Sequence, residues 1–347
     1  MERVFGGMSS MKQPNGQTVQ VVGTGGTISS RYDPKRGGYV SAAPVEAIAE
    51  LIDKNQKLPS IQVENFSTAP SFEMRIGFVE QLIRRLSDLA ESDDLSGIVV
   101  TQGTDTLEET SFLADLLIES DKPIIFTGAQ LAQDHPQTDG PRNLLDAVRA
   151  AASPQARKMG VMVAFNGQLH AARDVQKLHT SALETFQSPE SGPLGFVDGD
   201  AVIFYRRPFT RRRLHPVSLD KRVELIRPAL GMDGRIIELL LQSGVDGLVV
   251  EAFGRGNTTS EVGNAISKAV SSGIPVVISS RCIAGRVLPI YRGTGGGGAD
   301  LAASGAIFAG NLRGPKARLL LIAALADPVA CQDLSALFGA FAANCEP

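Results

Sequence analysis

Short apolar runs recur along the chain, each followed by a longer stretch in which apolar residues return every three or four positions. Residues 19–22, 61–66, 98–101, 124–127 and 161–165 read as strands, and the continuous apolar stretch Gly97-Ile98-Val99-Val100 suits a strand buried on both faces. Between them, residues 45–52, 74–89, 107–118 and 143–152 carry the helical period. Alternation of this kind with short connections predicts a mostly parallel sheet covered on both faces. The rhythm stops near Phe204, where Arg206-Arg207-Pro208 and Arg211-Arg212-Arg213 interrupt it. A second α/β set follows at 235–242, 248–252, 262–270, 276–279, 306–309 and 316–326. The fold class expected is therefore α/β, with a larger N-terminal α/β domain built on a mostly parallel sheet and a smaller C-terminal α/β domain. The expected boundaries are a flexible arm at 1–17, the N-terminal domain at 18–205, a linker at 206–228 and the C-terminal domain at 229–347.

At 347 residues the chain can bury two cores without covalent staples. Cys282, Cys331 and Cys345 have no metal-ligand spacing, and their odd number argues against a full disulfide framework and for a reducing compartment. A formal net charge of −3 with mixed signs speaks against general attraction to nucleic acid, and the arginine block lacks interleaved aromatics and reads as a solvated connector. No apolar run reaches membrane-spanning length, and residues 1–17 lack the apolar core of a secretory signal, so a cytoplasmic protein is expected. The tract Gly293-Thr294-Gly295-Gly296-Gly297-Gly298 is a mobile or tightly packed loop rather than a phosphate cradle, because no Lys-Ser or Lys-Thr follows it.

Chemistry concentrates just beyond two strands. Thr24-Gly25-Gly26-Thr27-Ile28 follows the first, and Thr101-Gln102-Gly103-Thr104-Asp105-Thr106 follows the third. In open α/β sheets ligands bind outside the carboxyl ends of the strands, so hydroxyls at two such ends converge on one crevice. The first turn is not G-x-G-x-x-G, and the polar, turn-rich 29–40 segment after it is no pyrophosphate-binding helix. On residues alone, Thr27 is either a ligand-facing hydroxyl or a threonine bonding its own turn, and Asp105 either a site carboxylate or a helix cap.

The two segments together resemble the signatures of the asparaginase/glutaminase family, and the resemblance runs from Val19 to Ala326, including Gly314-Pro315-Lys316-Ala317-Arg318. It implies that Thr27 is the nucleophile attacking a side-chain amide to form an acyl-enzyme, with Tyr39 in a lid, Tyr32 being the lower-ranked candidate. It further implies that Thr104, Asp105 and Lys177 form the second catalytic group, that Asp105 also binds the substrate α-ammonium, and that Ser71 binds the α-carboxylate. Ser71 is equally a candidate cap for the following helix. Phe72 stands where many relatives carry glutamine. Asn257 matches an asparagine that family members lend from a neighbouring subunit, which implies a homodimer or homotetramer. Asp300 is only a loose match for a glutamate that some relatives supply. Thr138-Asp139-Gly140-Pro141 matches another family stretch and reads as a turn feeding a helix. His135, His170, His179 and His215 are scattered without metal-ligand spacing, and the family needs no cofactor, so none is expected. The activity implied is hydrolysis of L-asparagine to L-aspartate and ammonia, with glutaminase activity open. The rival readings are an amidase for a larger amide and a non-catalytic α/β protein that binds an amino acid or nucleotide.

Overall fold

The computed structural model describes residues 18–41, 44, 45, 47, 50, 58–208 and 212–342. The expected arm at 1–17, most of the helix expected at 45–52, Arg211 and Cys345 lie outside the described residues. The strands are β1 (Thr18–Gly23), β2 (Ser30–Asp33), β3 (Gly38–Ser41), β4 (Ser60–Asn65), β5 (Leu95–Thr101), β6 (Ile124–Thr127), β7 (Val161–Phe165) and β8 (Gln168–Ala171). They continue with β9 (Gln176–Lys177), β10 (Phe186–Gln187), β11 (Gly195–Asp198), β12 (Ala201–Phe204), β13 (Val223–Ile226), β14 (Gly247–Ala252), β15 (Val276–Ser280) and β16 (Ile307–Phe308). The helices used below are α1 (Ile76–Glu91), α2 (Leu107–Leu117), α3 (Gly140–Ala152), α4 (Arg235–Gln242), α5 (Ser260–Ser271), α6 (Gly298–Ala303), α7 (Gly314–Ala326) and α8 (Leu334–Ala342).

The N-terminal sheet runs β12-β11-β8-β7-β6-β5-β1-β4. Strands β4, β1, β5, β6 and β7 pair in parallel, and β8, β11 and β12 join antiparallel. Burial explains the parallel part: β5 and β6 are almost wholly buried, covered by α1 and α2 on one side and α3 on the other. Helix α1 shows how: Val79, Leu82, Ile83, Leu86 and Leu89 lie on one buried stripe. The smaller C-terminal sheet, β13-β14-β15-β16, is parallel throughout.

Register positions the site. Gly23 pairs with Thr101, and Thr101 with Thr127, so the carboxyl ends of β1, β5 and β6 stand level. Residues immediately beyond them must share one edge of the sheet.

Two departures from the sequence reading have physical causes. Residues 223–226 lie inside the segment expected to be a linker, yet form β13, the edge of the C-terminal sheet, hidden in the sequence behind charge and proline. The arginine block is solvated only in part: Arg207 and Arg212 are exposed, whereas Arg206 donates to the Pro193 and Gly192 carbonyls and Arg213 pairs with Glu119 at 3.2 Å. Of the two readings of the 293–298 tract, its second half fits the tightly packed one: a Cβ on Gly296 or Gly297 would stand 2.5 or 2.3 Å from neighbouring carbonyl oxygens, while Gly293 and Thr294 are exposed.

Helix α7 joins the domains. Ala317, Leu319, Leu320, Leu321, Ile322, Ala323 and Ala324 are all buried, so most of its surface is covered, with only Pro315, Arg318 and Leu325 partly exposed. It packs on α2 of the N-terminal domain and on β13, β14 and β15 of the C-terminal one, and a single apolar cluster runs through all of them. Among the described residues no helix is long and apolar enough to cross a membrane.

Candidate active site

The turn after β1 is held by backbone. Thr24 donates both its N–H and its hydroxyl to the Thr101 carbonyl, at 2.9 Å each, fastening the end of β1 to that of β5. Gly25 and Gly26 then take φ of 92° and 88°, the left-handed region that glycine alone enters freely. A Cβ on Gly26 would stand 2.2 Å from Gly103 Cα, and one on Gly103 would stand 2.6 Å from Ser71 Oγ. Three segments therefore touch at van der Waals distance with no room for side chains.

Around this contact lies a cavity of about 530 Å³ lined by Thr27, Tyr39, Ser71, Phe72, Thr104 and Asp105, together with Arg36. Thr27 is half-buried, and its hydroxyl has no hydrogen-bond partner among the described residues. The Ser71 hydroxyl is likewise without one, although Ser71 is only 2% exposed. Ser71 does not cap the following helix: it opens a short 3-10 turn, and α1 begins later, after Arg75. Tyr39 and Tyr32 are cross-strand partners on the β2–β3 hairpin, with rings 5.6 Å apart edge to face. Of the two, Tyr39 lines the cavity. The base of that hairpin is tied to the loop after β6 by Gln133 N–H to the Ser30 carbonyl and Tyr32 N–H to Asp134, at 2.9 and 2.8 Å.

The turn after β5 is held by side chains. Lys177 Nζ donates to Thr104 Oγ1 and to Asp105 Oδ1, both at 2.8 Å, and Thr104 donates to Gln130 Oε1 at 3.1 Å. An ammonium has no acceptor, so while Lys177 is charged the Thr104 hydroxyl accepts from it and sends its own proton to Gln130. The Thr104 N–H has no acceptor among the described residues and remains available to a ligand. Asp105 does not cap α2; the cap position is Thr106. Behind this group, the Lys177 N–H donates to Glu108 Oε2 at 2.5 Å. Burial pushes the Glu108 carboxyl up, against the pull of Lys316 and the Lys177 amide.

Gln130 was not among the sequence candidates, although it lies just beyond β6 and the strand-end rule that found Thr27 and Thr104 points to it. Its backbone N–H is held by Asp139, which also accepts from Leu131 N and Asn143 Nδ2, so Asp139 has the structural part expected of it. Asn257 is not brought to the cavity. It sits in the C-terminal domain, where its Oδ1 accepts the Gly298 N–H at 3.0 Å. Asp300 is occupied as well: its carboxylate accepts the N–H groups of Gly293, Thr294 and Gly295, which hold its pKa below the usual carboxylate value. Among the described residues no three His, Cys, Asp or Glu side chains gather to hold a metal.

Comparison with known proteins bears on this arrangement. The family profile described as Asparaginase, N-terminal, matches residues 18–210, and that described as Glutaminase/Asparaginase C-terminal domain matches 222–338. The chain belongs to the asparaginase/glutaminase family. A probable L-asparaginase of Deinococcus radiodurans is 36% identical over 326 residues, covering 92% of this chain and 96% of that one. An L-asparaginase of Bacillus licheniformis is 32% identical over 312 residues, 89% of this chain and 95% of its own. The crystal structure of a probable cytoplasmic L-asparaginase from Campylobacter jejuni superposes with a TM-score of 0.83 at 28% identity, covering 93% of this chain and 99% of that one. The larger N-terminal and smaller C-terminal α/β domains are thus the family's asparaginase fold.

Proposed function

We propose that the protein is an L-asparaginase, an amidohydrolase that releases ammonia from the side-chain amide of L-asparagine through an acyl-enzyme on Thr27. The observation that carries this reading is the backbone contact of Gly26 with Gly103, which sets a free hydroxyl on Thr27 and a lysine-bonded hydroxyl on Thr104 on the wall of one cavity large enough for an amino acid. Family membership and the names of the relatives support it.

In this reading Thr27 Oγ attacks the amide carbon, and the Thr104 N–H takes the developing oxyanion. The carbon–nitrogen bond breaks, and the departing nitrogen gains a proton and leaves as ammonia. Water then splits the Thr27 ester, returning the hydroxyl and releasing aspartate. Tyr39, on the cavity wall, and Lys177, acting through Thr104, are the groups placed to move protons. Asp105 receives the α-ammonium and Ser71 the α-carboxylate, fixing the amide against Thr27. Asn257 would serve a neighbouring subunit's site, so the active form is a homodimer or homotetramer. The description of the Campylobacter structure as a probable cytoplasmic L-asparaginase, and the exposed Cys282 and Cys331, which form no disulfide among the described residues, support a cytoplasmic location.

The test is ammonia release from L-asparagine, L-glutamine and their D-forms by wild type and Thr27→Ala. Release from L-asparagine that the substitution abolishes supports the reading. Aspartate binding without turnover by the wild type, or wild-type turnover by Thr27→Ala, refutes it.

A further inference from the structure

The buried lysine Lys316 has no part in the chemistry just described, yet its contacts lead to the group that does. It lies in the first turn of α7, in the C-terminal domain, and is 1% exposed. Its Nζ crosses the domain interface and donates to the carbonyls of Ala172, Arg173 and Val175, at 2.8, 3.0 and 2.5 Å. All three ammonium protons are thereby used on one short stretch of main chain. That stretch joins β8 to β9, and two residues after the last of these carbonyls comes Lys177. The charges facing Lys316 are Glu108 and Glu109 on α2 and Asp174 and Arg173 on the bend itself.

We infer that Lys316 is a positioning residue for Lys177, through which the C-terminal domain sets where the Lys177 ammonium meets Thr104 and Asp105. The backbone of Lys177 is gripped from two sides. Lys316 holds the carbonyls that precede it, and Glu108 accepts its N–H. Burying an ammonium is costly even when every proton is bonded, and an apolar side chain would fill the same space more cheaply. What the ammonium adds is a fixed geometry for three carbonyls that no apolar residue supplies. An error of an ångström at a reacting group can cost roughly 100-fold in rate, so fixing this bend has a kinetic consequence.

This inference rests on the reading of Lys177 as a proton-transfer group, and the experiment separates the two. Steady-state asparagine hydrolysis is measured for wild type, Lys316→Met and Glu108→Gln, and for each of these substitutions in a Lys177→Met background, with thermal melts and aspartate binding to establish folding. Lys316→Met is expected to lower kcat roughly 10- to 100-fold with KM within about twofold of wild type, and Glu108→Gln to lower kcat by a smaller factor. In the Lys177→Met background neither should lower kcat further, because the group they position is gone. A general loss of structural integrity would instead multiply through. Wild-type kcat in either folded single variant, or the same fold-loss repeated without Lys177, overturns the inference. Where Lys316→Met does not fold, Glu108→Gln decides alone by the same two criteria. A failure of the underlying reading shows elsewhere, as wild-type kcat in Lys177→Met itself, and the inference then falls with it.

Discussion

The turn after β1 and the turn after β5 face each other across one cavity, and they differ in what holds them. At the first, main chain does the work: Thr24 fastens the strand end, two glycines take positive φ, and Thr27 and Tyr39 are left with unbonded hydroxyls among the described residues. Tyr39 is 62% exposed on a two-stranded hairpin. At the second, side chains from distant parts of the sequence converge: Thr104 is 4% exposed and bonded to both Lys177 and Gln130. One half of the site is wired before substrate arrives, and the other leaves its hydroxyl free to react. A nucleophile already engaged in strong hydrogen bonds would have to break them first, so the difference favours Thr27 for attack and Thr104 for support.

The sharpest way to break the comparison is Thr27→Ala, which should lower kcat by roughly 10³-fold or more while aspartate still binds. A comparable residual rate in Thr104→Ala and none in Thr27→Ala is not required; a faster Thr27→Ala enzyme would reverse the assignment. Next comes Gly26→Ala. Its φ of 88° and the 2.2 Å approach to Gly103 predict a loss of about 3 kcal/mol or more, measured by chemical denaturation.

The strand leading into the wired half also carries a buried group that gains a proton in acid. His170, on β8 just before the bend leading to Lys177, is fully buried with Nδ1 on Ser188 and Nε2 unpaired, and burial lowers its pKa from 6.5 to about 4. Between those values the unfolded chain binds a proton that the folded one does not, so stability is complete above pH 6.5 and falls toward pH 4. The expected loss is about 3 kcal/mol. Asp146, raised by burial to about 6, acts in the opposite sense, so the measurement is the difference between wild type and His170→Gln at pH 7 and pH 4. Wild type should lose more.

The smallest effect separates the two threonines by stability alone. Thr104→Val strands Lys177 and Gln130 and should cost about 1–3 kcal/mol, whereas Thr27→Val should stay within about 0.5 kcal/mol of wild type. Equal costs would mean that the two turns are not held differently.

Much of this was legible in the letters, and what was not has a physical cause. Strand ends declare themselves through apolar runs stopped by glycine and threonine, which is why both turns could be read directly. Lys177 was reached only through family resemblance, because a lysine in a polar stretch carries no mark of its eventual neighbours. Lys316 was invisible for the same reason: its partners are main-chain carbonyls more than a hundred positions away, and carbonyls have no letter. The β11–β12 hairpin was overlooked although Gly199-Asp200 forms its two-residue turn and Gly199 takes φ of 54°. Strand β13 escaped because its short run is flanked by the arginine-rich connector. Asn257 illustrates the opposite limit, since a match to a family position says nothing of which copy of the chain it serves.

Helix α7, buried over most of its surface, belongs to neither domain alone. If the polypeptide were divided between Phe204 and β13, one fragment would carry this rod bare and the other would carry the trough it fills. Neither piece would be recovered in soluble form when produced by itself, and co-production of the two would restore both. The family's two profiles thus mark a border in sequence that the interior of the molecule does not observe.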